Sequence, residues 1–118
     1  MKKGLKLMAV AGAACLLLTA TGCNKLLARD QLNKGVAAYK NAKYEQAIDH
    51  FKRAVELDNG LQNAKLYLAT AYAQQYIPGV DDAENLQNAN AAIEQYKAVL
   101  QQDPKNVNSI KEIGRAHV

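Results

Sequence analysis

The sequence has few of the residues that break helices or build catalytic centres. Its 118 residues include only seven glycines, two prolines, two cysteines and two histidines. No cluster of Cys and His suits a metal, no nucleophile is paired with a base, and no glycine-rich turn could hold a phosphate. Scarce glycine and proline in a chain rich in alanine, glutamine, lysine and leucine favour helices. We therefore expect an all-α protein that uses no metal and no cofactor.

Charge of one sign is also nearly absent outside the N-terminal segment. The formal net charge is +4, but Lys2, Lys3 and Lys6 supply three of the 15 positive charges. After residue 22, 12 Lys and Arg remain against 11 Asp and Glu, on 96 residues that suffice for one small domain. A nucleic-acid partner would need a basic stripe, which is not visible, so we expect no nucleic-acid binding.

The first 22 residues follow the order of a secretory signal peptide. A short cationic start precedes 17 uncharged residues, from Leu7 to Cys23, whereas a transmembrane helix needs about 20 apolar ones. The stretch ends in the small residues "TATG" directly before Cys23. This ending resembles the cleavage box of bacterial lipoproteins, with Ala20 where Leu is more usual. The resemblance implies cleavage before Cys23, a diacylglyceryl group on its thiol and an acylated amine.

The alternative for Cys23 is an ordinary signal peptide, cut near Ala20, that leaves a free thiol. An exposed thiol is a liability in an oxidising compartment, and Cys15 cannot pair with it because Cys15 leaves with the signal. Two acyl chains, by contrast, give stable anchoring. We predict a lipid-anchored protein of the cell envelope. By analogy with lipoprotein sorting, Asn24 carries no inner-membrane retention signal, which favours the periplasmic face of the outer membrane where a cell has one.

Apolar and small residues of the remaining chain recur at steps of three and four, as in Ala47, Phe51 and Val55. Asn59-Gly60 is typical of a left-handed helix end, and the residue before a proline is biased away from helix. These interruptions predict about four helices and the beginning of a fifth. The breaks fall at residues 41–43, 59–60, 78–79 and 103–104.

The segment "GVAAYKNAKYEQAIDHFKRAVELDNG" resembles the tetratricopeptide repeat, a pair of antiparallel helices that pack closely through small residues. Gly35 lies in the predicted first helix, and Ala47 and Phe51 lie in the second. A second copy follows, in which Ala69 lies 34 residues after Gly35. The resemblance covers residues 28–106 and implies an α-α superhelix of helical hairpins that mediates protein–protein interaction.

Two repeats and the start of a third fill the chain after the signal. The predicted segments are a signal peptide at 1–22, a lipidated tether at 23–27, repeats at 28–61 and 62–106, and the start of a third repeat at 107–118.

The second repeat carries an insertion, because Ala47 and Ala92 lie 45 residues apart, 11 more than the offset of 34 between the first helices. The extra residues fall within 76–88, where Asp81-x-x-Glu84 resembles a capping box and predicts a lengthened second helix. The insertion is either a harmless longer loop or a rim beside a binding groove. Apolar residues at its start, Tyr76 and Ile77, motivate the second interpretation.

The tetratricopeptide resemblance also implies a groove formed by the first helices of successive repeats. A protein or peptide of the cell envelope, rather than a small-molecule substrate, would bind there. The Lys and Asn that clamp a peptide carboxylate in some relatives are not found at these positions. Carried over by position, the groove residues are Arg29, Leu32, Val36, Tyr39, Lys40, Asn63, Leu66, Thr70, Ala73 and Gln74.

Two functions of different classes remain open. The first is a membrane-anchored scaffold or assembly factor of the bacterial envelope. The second is the N-terminal repeat module of a longer envelope enzyme, such as a cell-wall hydrolase, whose catalytic domain would lie beyond residue 118. The sequence offers no candidate catalytic residues, which favours the scaffold, and the complete reading frame would distinguish the two.

The last six residues, "IGRAHV", have two interpretations. In the repeat pattern, Ile113-Gly114 would occupy the Leu-Gly position of a third repeat. The same residues can be encoded by ATC GGA AGA GCA CAC GTC followed by the stop TGA, which resembles a common sequencing adapter. We therefore expect the natural sequence to depart from this one near Glu112, and we assign no function to residues 113–118.

Overall fold

The computed structural model describes residues 22–116, and within them the regular elements are all helices. The expected all-α fold is therefore confirmed. Of the predicted signal peptide, only Gly22 lies among the described residues. No helix in the described range is both long and apolar enough to cross a membrane. The helices are α1 at 22–40, α2 at Tyr44–Leu57, α3 at Gln62–Gln75, α4 at Ala83–Gln102 and α5 at Val107–Ala116.

Successive helices pack against each other, so the chain forms hairpins α1–α2 and α3–α4 followed by α5. Residues 23–27, which the sequence predicts to be a tether, form the first turns of α1. Tyr72 of α3 contacts both the core of the first hairpin and that of the second. This shared contact makes the two cores continuous, as expected in a superhelix of helical hairpins.

Close packing in the first hairpin depends on small residues. A methyl group added at Gly35 of α1 would lie only 2.5 Å from Cδ1 of Phe51 in α2. Phe51 and Ala47 are fully buried, as the predicted stripe requires. The Phe51 ring also stacks on Tyr67 of α3, with ring centroids 5.5 Å apart. One aromatic side chain thus fills the space both within the hairpin and towards the next one.

The end of α2 differs from the sequence prediction. The left-handed residue after α1 is Ala42, with φ 58, while Asn59-Gly60 is not left-handed. That expectation was wrong because the side chain of Asp58 stabilises another turn. Its Oδ1 accepts a hydrogen bond from the Gly60 N–H at 3.1 Å, and its carbonyl accepts one from Leu61.

The inserted residues extend α4 and the loop before it. Helix α4 has 20 residues, whereas α2 has 14. Its N-cap is Asp82, whose carboxylate accepts a hydrogen bond from the Asn85 N–H at 2.7 Å. The predicted capping box at Asp81 and Glu84 is thus replaced by a simple cap one residue later. A sequence pattern with two adjacent aspartates cannot distinguish which of them adopts the extended backbone of a cap.

Candidate functional site

A cavity of about 700 Å³ opens between α3, α4 and α5. Its lining combines amide side chains, tyrosines and small apolar residues. Helix α3 supplies one wall, α4 the opposite wall, and the inserted loop and α5 the two ends. The lining residues are Asn63, Leu66, Tyr67, Thr70, Ala73 and Gln74 of α3, Tyr76 and Pro78 of the loop, Ala89, Ala92 and Tyr96 of α4, and Asn108, Glu112 and Arg115 of α5.

The structure divides the predicted groove residues into two groups. Those on α3, namely Asn63, Leu66, Thr70, Ala73 and Gln74, line the cavity together. Those on α1 do not line it. Three of these, Leu32, Val36 and Tyr39, are half-buried against the core of the first hairpin, while Arg29 and Lys40 are exposed.

Tyr39 nevertheless reaches the neighbourhood of the cavity. Burial raises the pKa of Tyr39, the neighbouring Tyr44 raises it further, and a hydrogen bond with Gln74 opposes the rise. The two tyrosine rings meet edge to face, with centroids 5.3 Å apart. The end of α1 therefore lies near the cavity wall that α3 provides.

Sequence reasoning missed the contributions of α4 and α5. One signal was available for Asn108, which follows Asn63 by 45 residues, the same offset that separates Ala47 from Ala92. Asn108 and Asn63 are therefore equivalent positions of successive repeats. No such signal identified Tyr96, because a tyrosine at helical spacing is usually a packing residue.

Tyr96 and Thr70 form a polar pair in the cavity wall. The Thr70 hydroxyl donates to the carbonyl of Leu66 at 2.8 Å, and its oxygen lies 3.2 Å from the Tyr96 hydroxyl. Because a hydroxyl has one hydrogen, Tyr96 is the donor to Thr70. Burial raises the pKa of Tyr96 and the charge of Glu112 raises it further, while the hydrogen bond that the Thr70 hydroxyl would donate to the ionised phenol opposes the rise. The phenol is thus protonated and neutral at physiological pH.

Asn85 holds the inserted loop in one shape. This buried side chain accepts a hydrogen bond from the Ile77 N–H at 2.6 Å and donates to the carbonyls of Ile77 and Val80, both at 2.7 Å. Tyr76 and Pro78 of the loop then line the cavity, whereas Ile77 is 59% exposed. An ordered loop that contributes two lining residues favours the rim interpretation over a harmless loop.

Among residues 22–116, no three side chains of His, Cys, Asp or Glu form a group that could hold a metal ion. The acidic cluster at the start of α4 is explained by the helix cap at Asp82. The lining contains hydroxyl and amide groups that donate and accept hydrogen bonds. The cavity can therefore bind a ligand through hydrogen bonds and apolar contacts.

The end of α5 contributes to the cavity through residues that the sequence predicts to be foreign. Arg115 lines the cavity and pairs with Glu112 at 3.1 Å, and Ile113 packs against the cluster that contains Tyr96. We assign no function to these two residues. The site considered below is built by residues 63–112.

Residues 28–60 match the family model of the tetratricopeptide repeat. The matched residues include α2, all but the first turns of α1, and nearly all of the first predicted repeat. A search of curated proteins finds no match for the chain. The match supports the predicted resemblance and a role as a protein-interaction scaffold.

Proposed function

We propose that this protein is a lipid-anchored scaffold of the bacterial cell envelope, which binds a protein or peptide partner in the cavity between α3, α4 and α5. The observation that carries the proposal is the cavity itself, which lies beside a hairpin that matches a protein-interaction repeat. Its volume of about 700 Å³ would accept several side chains of a bound segment.

The lining suits a polypeptide. Exposed amides at Asn63, Gln74 and Asn108 can donate to and accept from the backbone of a bound segment. Leu66 and Ala73, both half-buried, provide an apolar surface for side chains. Among the lining residues up to position 112, Glu112 is the one that carries a charge. The partner is therefore selected by shape and hydrogen bonding more than by charge.

The anchor is proposed from the sequence around Cys23. The small residues before it support lipidation, and its exposed position at the start of α1 leaves the thiol accessible. Two acyl chains would hold the protein stably at a membrane. We place it at the periplasmic face of the outer membrane in cells that have one.

Site-specific photo-crosslinking in living cells tests the binding site. A benzoylphenylalanine introduced at Gln74, in the cavity wall, should form a defined adduct with a protein of the envelope. The matched control is Gln46, exposed on α2 outside the cavity. Adding Thr70→Arg, which places a bulky side chain in the cavity wall, should abolish the adduct from position 74. Equal adducts from both positions, or an adduct that survives Thr70→Arg, would contradict the proposed site.

Replacement of Cys23 by Ser tests the anchor. The variant should lose radiolabelled palmitate and remain uncleaved or become soluble. An unchanged mass and unchanged membrane fractionation in the variant would refute lipidation. Sucrose-gradient separation of the unaltered protein tests the location, and recovery with the inner membrane would contradict the outer-membrane assignment.

A further inference from the structure

The start of α1 presents an apolar face beside Cys23. The helix is continuous over residues 22–40, so Cys23 lies in its first turn. Leu26 and Leu27 follow at the third and fourth positions after Cys23, which places all three side chains on one face. Leu26 is 70% exposed and Leu27 is 51% exposed.

Both leucines precede the buried residues of α1, and Leu27, eleven residues before Ala38, continues the stripe of that residue beyond the buried part. The buried residues of α1 are Ala28, Gly35 and Ala38, which occupy the side that packs on α2. Because a regular helix fixes their backbone, these two exposed leucines cannot become buried by a local rearrangement. Neighbouring exposed leucines of this kind are typical of a surface that is covered in the functional state.

The charges around the two leucines identify what covers them. Lys25 and Arg29 are exposed and flank the leucines in sequence. The first acid of the described chain, Asp30, is paired with Lys34 at 2.8 Å. Asp30 and Lys34 share the leucine side of α1, whereas Lys25 and Arg29 project on other sides and form no ion pair in the described chain. The helix start therefore combines apolar side chains with two unpaired cations around its end, a combination that suits contact of that end with an anionic lipid surface.

We infer that Leu26 and Leu27 form a second membrane contact, so that α1 itself meets an anionic bilayer surface next to the lipid on Cys23. The inference rests on the proposed lipid anchor. The rise from Cys23 to Leu27 is four residues, or about 6 Å of helix, within the roughly 5–10 Å depth that an interfacial apolar face reaches. Residues 23–27 then form a rigid helical contact with the membrane rather than a flexible tether, and they hold the repeats close to the membrane.

The test measures how deeply residue 27 enters the bilayer. Lipidation blocks the Cys23 thiol and cleavage removes Cys15, so Leu27→Cys supplies the one thiol available for a fluorescent nitrobenzoxadiazole label. The lipidated protein is reconstituted into vesicles of phosphatidylethanolamine and phosphatidylglycerol that carry a doxyl quencher on the acyl chains. The matched control is the same label at Gln46→Cys on α2.

We expect blue-shifted, strongly quenched emission from position 27 and neither effect at position 46. Leu26→Ser in the labelled protein, or neutral phosphatidylcholine in place of phosphatidylglycerol, should weaken the quenching. Each cation near an anionic surface contributes about 1 kcal/mol, a factor of about five in membrane affinity. Quenching at 27 that is insensitive to both changes would overturn the inference.

Two further outcomes distinguish this inference from the anchor. Mass spectrometry of the N-terminal peptide reports lipidation separately. A lipidated protein without quenching at position 27 overturns the membrane contact and leaves the anchor intact. If Cys23 proves unmodified, both native cysteines are replaced by Ser so that Leu27→Cys remains the one thiol, the labelled chain is added to the same vesicles, and absence of quenching again overturns the contact. A blue shift without lipid quenching would mean that protein, such as a second copy of the chain, covers this face, and would also overturn it.

Discussion

Equivalent positions of the two hairpins carry side chains of different polarity. At equivalent places of the repeat, Gly35 and Val36 of α1 correspond to Ala69 and Thr70 of α3, and Phe51 of α2 corresponds to Tyr96 of α4. In the first hairpin the Phe51 ring lies against Gly35, and Val36 packs on the same apolar cluster. In the second, Tyr96 packs with Ala69 and bonds to Thr70 through its hydroxyl.

From Phe51 to Tyr96 a hydroxyl is added, and from Val36 to Thr70 a hydroxyl replaces a methyl group, so both side chains become polar with nearly the same shape. Val36 and Phe51 belong to the apolar cluster between the helices of the first hairpin, which we call the dry seam. Thr70 and Tyr96 make the seam polar in the second, where the cavity opens. One backbone arrangement thus forms an apolar core in the first hairpin and lines the proposed binding cavity in the second.

The connections differ as well. A three-residue turn at 41–43 joins α1 to α2, with the Lys43 N–H bonded to the carbonyl of Ala38 at 2.9 Å. A longer loop joins α3 to α4 and is held by Asn85. The first connection is stabilised by backbone bonds, whereas the second depends on one buried side chain. Mutations of Asn85 should therefore affect the cavity rim more than the helices.

The largest effect is expected from Phe51→Ala in the dry seam. Removal of this fully buried ring leaves a cavity between α1, α2 and α3, so the free energy of unfolding should fall by about 3–5 kcal/mol. Urea denaturation measures the change. Tyr67→Ala, at a partner of the stacked pair that is 40% exposed, should cost less than half as much. Similar losses for the two variants would mean that Phe51 is not the centre of this core.

Ala47→Leu should rank second. Ala47 is fully buried at the seam, and overpacking of a filled core costs about 1–3 kcal/mol. Gln46→Leu, one residue earlier on the exposed side of α2, should leave the melting temperature nearly unchanged. Thermal unfolding measures the melting temperatures of the two variants. Equal shifts in melting temperature would show that the assigned repeat register is wrong.

Asn85→Ala tests the dependence of the longer connection on one side chain. The variant loses the bonds to Ile77 and Val80 and leaves their backbone groups without these partners, so we expect a loss of about 1–2 kcal/mol. Hydrogen exchange at the Ile77 amide should accelerate strongly, while amides in the middle of α2 keep their protection. Uniform acceleration throughout the chain would indicate global unfolding instead and contradict a local role.

Thr70→Val combined with Tyr96→Phe converts the polar seam into the dry one of the first hairpin. Because both partners of the hydrogen bond are removed together, stability should change by less than about 1 kcal/mol. Thr70→Val alone should be less stable than the double variant, since it leaves the Tyr96 hydroxyl without its partner, whereas after Tyr96→Phe alone the Thr70 hydroxyl still donates to Leu66. The crosslink from position 74 should weaken in the double variant. An unchanged crosslinking yield would show that the polar pair is not part of the proposed binding surface.

The smallest effect concerns pH. The folded-state pKa of Tyr96 is raised above its ordinary value of 10.0 by burial. Below pH 10.0 the phenol is protonated in both states, and above it the unfolded chain releases the proton first, so stability falls as pH rises towards the folded pKa. Tyr96→Phe should reduce this alkaline loss, measured by urea denaturation at increasing pH. Tyr67→Phe, at a more exposed phenol, is the control, and an equal reduction there would contradict the assignment.

Much of the first hairpin could be predicted from the sequence. Gly35, Ala47 and Phe51 lie at spacings that identify the small and large positions of a helical pair, and all three are buried as expected. The offset of 45 residues between Ala47 and Ala92 revealed an insertion before any geometry was known. Local periodicity contains this information because a helix brings residues three and four apart onto one face.

More than half of the candidate site required the tertiary structure. Leu32 and Thr70 occupy groove positions in the same pattern, yet only Thr70 lines the cavity, because Leu32 packs against the first core, to which α3 contributes, while Thr70 faces the space between α3, α4 and α5. Asn85 likewise reads as an ordinary polar helix residue until the loop folds over it. Spacing along the chain determined which side chains share a helix face. Only the packing of distant helices decided which faces are covered, because burial depends on what the rest of the chain brings next to them.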